Sequence, residues 1–165
     1  MVDYWSKACL AAPVSGTQGT RDAITAIREA MDQAEAPLGH PLDEDCLDAA
    51  TGELHPVVIV SDNGPAYKST GFMRFIRSHP ELAHIRTRHH APETSGVVER
   101  FNGSLKYEHL YREDIHDAVT LSEEVQRYRA IYNGIRPHES LGFLTPRSVH
   151  TAEPNLFHPE SVQES

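Results

Sequence analysis

Residues 57–69 read VVIVSDNGPAYKS, and this stretch decides the fold class. Four consecutive β-branched residues, Val57 to Val60, fit a short strand buried on both faces, closed by the turn residues that follow. Such a strand belongs in a sheet with helices on each side, and the flanking sequence supplies them. Downstream, Phe72, Phe75 and Ile76 share a helical face, a second short strand is predicted around residues 84–87, and Val97, Val98, Phe101 and Leu105 form an apolar helical stripe after Gly96. A further helix is predicted over roughly residues 119–133, with Val125, Tyr128, Ile131 and Tyr132 inward, and the last thirty residues read as Pro-rich and irregular. Upstream, Val2, Tyr4 and Trp5 predict a strand within residues 2–13. A helix is expected from Thr20 as N-cap, with Ala23, Ile24, Ile27 and Met31 on one face and an end before Pro37. Alternating strands and helices predict an α/β layer architecture.

The chain has 165 residues, 39% hydrophobic and 24% charged, which fits one soluble domain rather than a coiled-coil rod or a disordered tail. No apolar run approaches the roughly 20 residues needed to cross a bilayer, and the start lacks a basic region followed by a long apolar one, so a cytoplasmic location is expected. Cys9 and Cys46 lack the spacing of a structural zinc site and read as reduced thiols. The net charge of -9 argues at first against a nucleic-acid partner. Charge is segregated, however. Residues 31–56 hold seven acidic residues and no Lys or Arg, and the part after the helix, to about residue 55, reads as a long surface loop, whereas residues 62–112 hold eight basic residues against five acidic.

Asp62 follows the Val57–Val60 strand directly, at the end of the sheet where open α/β folds place ligands, with Asn63 and Gly64 making a tight turn. The same position suits an Asx-type turn in which the carboxylate caps its own backbone. Glu99 lies on the later helix, with Asn102 and Lys106 on its face at i+3 and i+7. A face of that composition suits a site or plain solvated surface. The joint pattern favours a site: an acid at a strand end, 36 intervening residues, then an acid on a helix flanked by Arg100, Asn102 and Lys106.

Three motifs, SDNGPAYKS (61–69), APETSGVVERFNGSLKYEHL (91–110) and YNGIRPHESLGFLTP (132–146), resemble the second half of the integrase catalytic core of insertion-sequence transposases and retroviral integrases, the DDE recombinases. The resemblance runs from about residue 2 to 150 and implies an RNase H-like mixed sheet with flanking helices, with residues 151–165 as an irregular tail. It maps the catalytic and metal-holding acids onto Asp62 and Glu99 and implies a Mg²⁺ (or Mn²⁺) cofactor, a choice that suits hard carboxylate oxygens. The implied reaction is metal-dependent phosphodiester hydrolysis at transposon ends followed by strand transfer into target DNA, by a homo-oligomer when full length. Lys68, Arg86, Arg88, Arg100, Asn102 and Lys106 are the expected DNA contacts, to which His89 and His90 could add. The third motif, with Tyr132, Asn133, Arg136 and His138, is assigned to packing.

The family uses three acids, the first on the opening strand of the sheet. Residues 2–13 resemble the second strand, with Asp3 as an acid that is not a metal ligand, so the first strand and its acid are expected roughly ten residues before Met1. On this reading the chain alone is inactive or very weak. Asp3 standing in as the first acid, and a non-catalytic remnant that binds DNA or associates with full-length transposase, are the alternatives.

Overall fold

The computed structural model describes residues 1–87 and 92–152. Its sheet is a parallel pair, β1 (Val57–Ser61) and β2 (Leu82–Arg86), in the register Val57↔Leu82 to Ser61↔Arg86. Helix α1 (Thr20–Leu38) and helix α4 (Thr70–Arg77) cover one face, and Ala23, Ile27, Ile59, Phe72, Phe75 and Leu82 form the core between them. The expected burial of β1 on both faces is not found. Ile59 alone is buried, while Val58 and Val60 on the opposite face are 49% and 48% exposed and Ile85 beside them 55%. Alternation puts these side chains on the face that α1 and α4 do not reach, and among the described residues β1 pairs only with β2.

A second core holds Cys9, Phe101, Tyr128 and Tyr132, built from the amino-terminal segment, α5 (Pro92–Ser104) and α6 (Ala118–Gly134). An ion pair between Glu29 of α1 and Arg129 of α6 joins the two cores, and the Gln126 amide donates to the Ala12 carbonyl at 3.2 Å. Burial pushes the Cys9 thiol up to about 11, and both cysteines are free and buried, so they act as small apolar residues. No helix of the described residues is long and apolar enough to cross a membrane.

Residues 2–13 do not form the expected strand; only the bridge Val2↔Cys9 remains. The Asp3 carboxylate accepts the Ser6 N–H at 2.8 Å, Asp3 N–H reaches the Ala8 carbonyl at 2.8 Å, and Lys7 takes φ 61°, so the chain folds back on itself. Local side-chain hydrogen bonds outcompete extension. Helix α1 begins one residue after Gly19 rather than after Thr20, because Asp22 accepts the Gly19 N–H at 2.8 Å; the Thr20 hydroxyl donates instead to Ser69 at 2.8 Å. Pro37 lies inside the last turn, where its missing N–H removes a single hydrogen bond, and Gly39 at φ 76° ends the helix. The acidic loop contains a short helix, α2 (Leu42–Cys46), and a bridge Leu47↔Leu54. Ile131 faces outward, 39% exposed. The carboxyl-terminal stretch is more regular than expected, with a 3₁₀ turn at Glu139–Leu141 and α7 (Pro146–His150), and the predicted tail beyond residue 152 lies outside the described residues.

Asn133 clamps the amino-terminal segment to α6. Its amide donates to the Cys9 carbonyl at 2.9 Å and accepts the Cys9 N–H at 2.8 Å. Asn133→Ala leaves both groups unpaired beside a buried residue, so a loss of about 2 to 4 kcal/mol in urea unfolding is expected, with an unchanged slope. A loss below about 0.5 kcal/mol would show that the clamp is dispensable.

Candidate active site

The carboxyl ends of β1 and β2 are stitched together beside Asp62. Ser61 Oγ lies 2.9 Å from His84 Nε2, the Thr87 N–H donates to the Ser61 carbonyl at 2.8 Å, and Asn63 Nδ2 donates to the Thr87 carbonyl at 2.7 Å. Burial, with the Arg86 guanidinium nearby, pushes His84 below its ordinary value, which favours a neutral ring. From this pinned turn Asp62 faces solvent. Its Oδ1 accepts the Gly64 N–H at 2.8 Å, so the Asx turn anticipated as the bland alternative exists. No hydrogen bond among the described residues engages Oδ2, so the turn and an outward-facing ligand atom coexist. A Cβ at residue 64 would lie 2.9 Å from Asp62 Oδ1, so any side chain there would push the carboxylate aside. Tyr67 stands near, its hydroxyl pKa raised by burial and then by the Asp62 charge.

Glu99 is exposed on α5, between exposed Arg100 and Val98. Its orientation is set by Phe101, 4% exposed, whose ring meets Tyr132 edge-on at 4.8 Å and Tyr128 at 5.9 Å. With Phe101 inward, Glu99, Arg100 and Asn102 point to solvent. Lys68, at the last position of α3 (Pro65–Lys68), and Arg86, the final residue of β2 and register partner of Ser61, are exposed near Asp62 in the chain path. Arg88, with His89 and His90, lies outside the described residues. Among the described residues no hydrogen bond or ion pair joins the Asp62 group to the Glu99 group. Lys106 departs from the expected α-helical phase: residues Leu105–His109 form a π-helical turn, and its ammonium sits over the Tyr107 and Tyr111 rings, 5.7 and 5.5 Å from their centroids.

Periodicity gave no hint of three ion networks. Among the described residues, His109, Glu113 and Glu124 are the group that could together hold a metal, but Glu124 is already partnered by His109 at 2.8 Å and Arg127 at 2.7 Å. Arg136 pairs with both oxygens of Glu108 and donates to the Tyr128 hydroxyl at 3.2 Å, tying the third motif to the π-helical turn. Asp3, the possible substitute acid, is held by Ser6 and His150, whose Nδ1 is 3.8 Å away. Although burial pushes the other way, the neighbouring His150 ring and hydrogen bonds from Ser6 hold Asp3 well below the usual carboxylate range.

Comparison with known proteins shows what the chain is similar to. The model of the integrase core domain matches residues 81–146, a span that includes Glu99, Arg100, Asn102, Lys106 and Arg136. A 39.2 kDa uncharacterized protein of insertion element IS476 from Xanthomonas euvesicatoria is 31% identical over 98 residues, 59% of this chain and 28% of its own length. Transposase InsD of the Escherichia coli insertion element IS2 is 27% identical over 95 residues, 56% of this chain and 30% of its own length. The chain thus spans under a third of these curated relatives. The HTLV-2 integrase catalytic core domain, a trimeric form in complex with magnesium, superposes with a TM-score of 0.60 at 24% identity, covering 90% of this chain and 80% of that one. That likeness establishes the fold as RNase H-like.

Two outcomes follow from the geometry. Gly64→Ala should displace the Asp62 carboxylate while the circular dichroism spectrum is kept; unchanged Asp62 side-chain NMR shifts would contradict the close approach. Asp3 has a depressed pKa in the folded state, so its ionised form contributes stability that is present above about pH 4 and is lost as pH falls further. Asp3→Asn should therefore lower the melting temperature at pH 7 and matter less near pH 3. An equal deficit at both values would refute an ionic role.

Proposed function

We propose that the chain, which carries an integrase-type catalytic core of the DDE class, is the DNA-engaging part of an insertion-sequence transposase, with Asp62 and Glu99 as its metal-holding carboxylates. The observation that supports this most directly is Asp62 at the carboxyl end of β1, held in a pinned turn with one oxygen facing out. The donor set is all carboxylate oxygen, which fits a hard divalent cation. Held there, such a cation would supply charge stabilisation to the attacking and leaving oxygens of a phosphodiester exchange. Arg86, Lys68 and Arg100 then meet backbone phosphates, Asn102 adds a neutral hydrogen bond, and the exposed acidic loop keeps the rest of the surface from competing for DNA.

The resemblance assigns two of the three acids, Asp62 and Glu99. Asp3 is committed to Ser6 and His150, which favours the reading that the chain binds DNA and does not cleave it unaided. Its substrates are transposon ends and target DNA, and it acts as a homo-oligomer or in association with full-length transposase.

Labelled duplex should bind with an affinity that falls steeply between 50 and 200 mM salt, and Lys68→Ala or Arg100→Ala should each reduce the log–log slope by about one. Salt-insensitive binding, or none, would remove the DNA reading. Incubation with Mg²⁺ or Mn²⁺ should leave the duplex intact. Robust nicking abolished by Asp62→Asn would overturn the inactivity while supporting the site.

A further inference from the structure

The π-helical turn exposes an aromatic pair that the proposed chemistry does not use. Tyr107 and Tyr111 are 65% and 64% exposed, and their rings meet edge-to-face with centroids 5.4 Å apart. Buried tyrosines elsewhere in the chain pack in the core; these two have no core to fill. The Lys106 ammonium lies over both rings, and Arg112, next after Tyr111 in sequence, is exposed. The nearest acid in sequence, Glu108, is paired with Arg136, and the next acids, Glu113 and Asp114, lie beyond Arg112. The turn is built by an extra residue in the backbone ladder: the Leu110 N–H reaches back to the Leu105 carbonyl. That widening sits at the end of the Glu99 helix, and π-helical segments of this sort are frequent at functional sites.

We propose that Tyr107 and Tyr111, with Lys106, form a stacking platform for an unpaired base of the DNA strand that the Glu99 helix engages. Exposed rings accept any base face, and a neighbouring ammonium holds the adjoining phosphate, which is the chemistry of single-strand recognition without sequence preference. A fully paired duplex offers no base face here, so the platform reads strand opening or a single-stranded tail. This inference rests on the DNA reading above and adds the class of substrate.

The test compares a blunt duplex with the same duplex carrying a short single-stranded tail, by fluorescence anisotropy, with 2-aminopurine in the tail as a second readout. The tailed duplex should bind about fivefold or more tightly and its 2-aminopurine should be quenched. Tyr107→Ala and Tyr111→Ala should each lose most of that preference and leave blunt-duplex affinity unchanged, whereas Tyr107→Phe and Tyr111→Phe should keep it. A tail of abasic sites should bind like the blunt end. Equal affinity for tailed and blunt duplexes, or a preference that survives both Ala variants, would overturn the platform while the DNA reading stands. Failure to bind either duplex would overturn both.

Discussion

The packing of Phe101 against Tyr128 and Tyr132 is the contact on which the arrangement of the second core depends. One buried aromatic side chain, worth about 2 to 3 kcal/mol in area alone, fixes the rotation of α5 about its own axis. Because successive helical residues are about 100° apart, seating residue 101 inward turns residues 99, 100 and 102 outward together. The same ring cluster anchors α6, and α6 in turn carries Asn133, whose amide holds the amino-terminal segment through Cys9. Glu108 and Arg136 repeat the link one turn further on. The third sequence motif is therefore a brace: it touches no proposed ligand atom and sets where the Glu99 helix lies.

The first core does the equivalent work for Asp62 with fewer parts. Parallel pairing of β1 and β2 leaves their carboxyl ends side by side, and Asn63 donating to Thr87 closes the gap that a bare turn would leave open. The sheet is thin, with one face covered and the Val58, Val60 and Ile85 face exposed. Rigidity at Asp62 thus comes from cross-strand hydrogen bonds more than from burial. That is why a change as small as a methyl at Gly64 bears on the site while the core below, around Phe72, is untouched.

How much of this was legible in the sequence follows from which forces are local. Val57–Val60 marked a strand and Phe72, Phe75 and Phe101 marked helical faces, because periodicity reports what a residue itself prefers. The burial of β1 is not legible in the sequence, because coverage depends on which layers reach a face and the run of valines is the same either way. The fold-back of residues 2–13 is not legible either, because Asp3 and Lys7 shape a turn by side-chain hydrogen bonding and a left-handed backbone, neither of which hydrophobic patterning registers. Position and motif single out Asp62 and Glu99 as the candidate site residues. The pairs Glu108–Arg136 and Glu124–His109 join residues far apart in the chain, and the π-helical turn differs from an α-helix by one residue per turn. No local pattern distinguishes them.

The charge of the chain becomes intelligible once location replaces total. The acidic residues of the loop between α1 and β1 are on the surface, several of them tied up locally: Asp48 caps its own turn through the Ala50 N–H at 2.8 Å, and His40 pairs with Asp45 at 3.6 Å. Charges separated by more than a Debye length of about 8 Å are screened at physiological salt, so an acidic loop need not cancel a basic edge elsewhere. In the proposed function, Lys68, Arg86 and Arg100 are the cations that a backbone phosphate would meet at short range. An overall charge of -9 is therefore compatible with the proposed nucleic-acid partner.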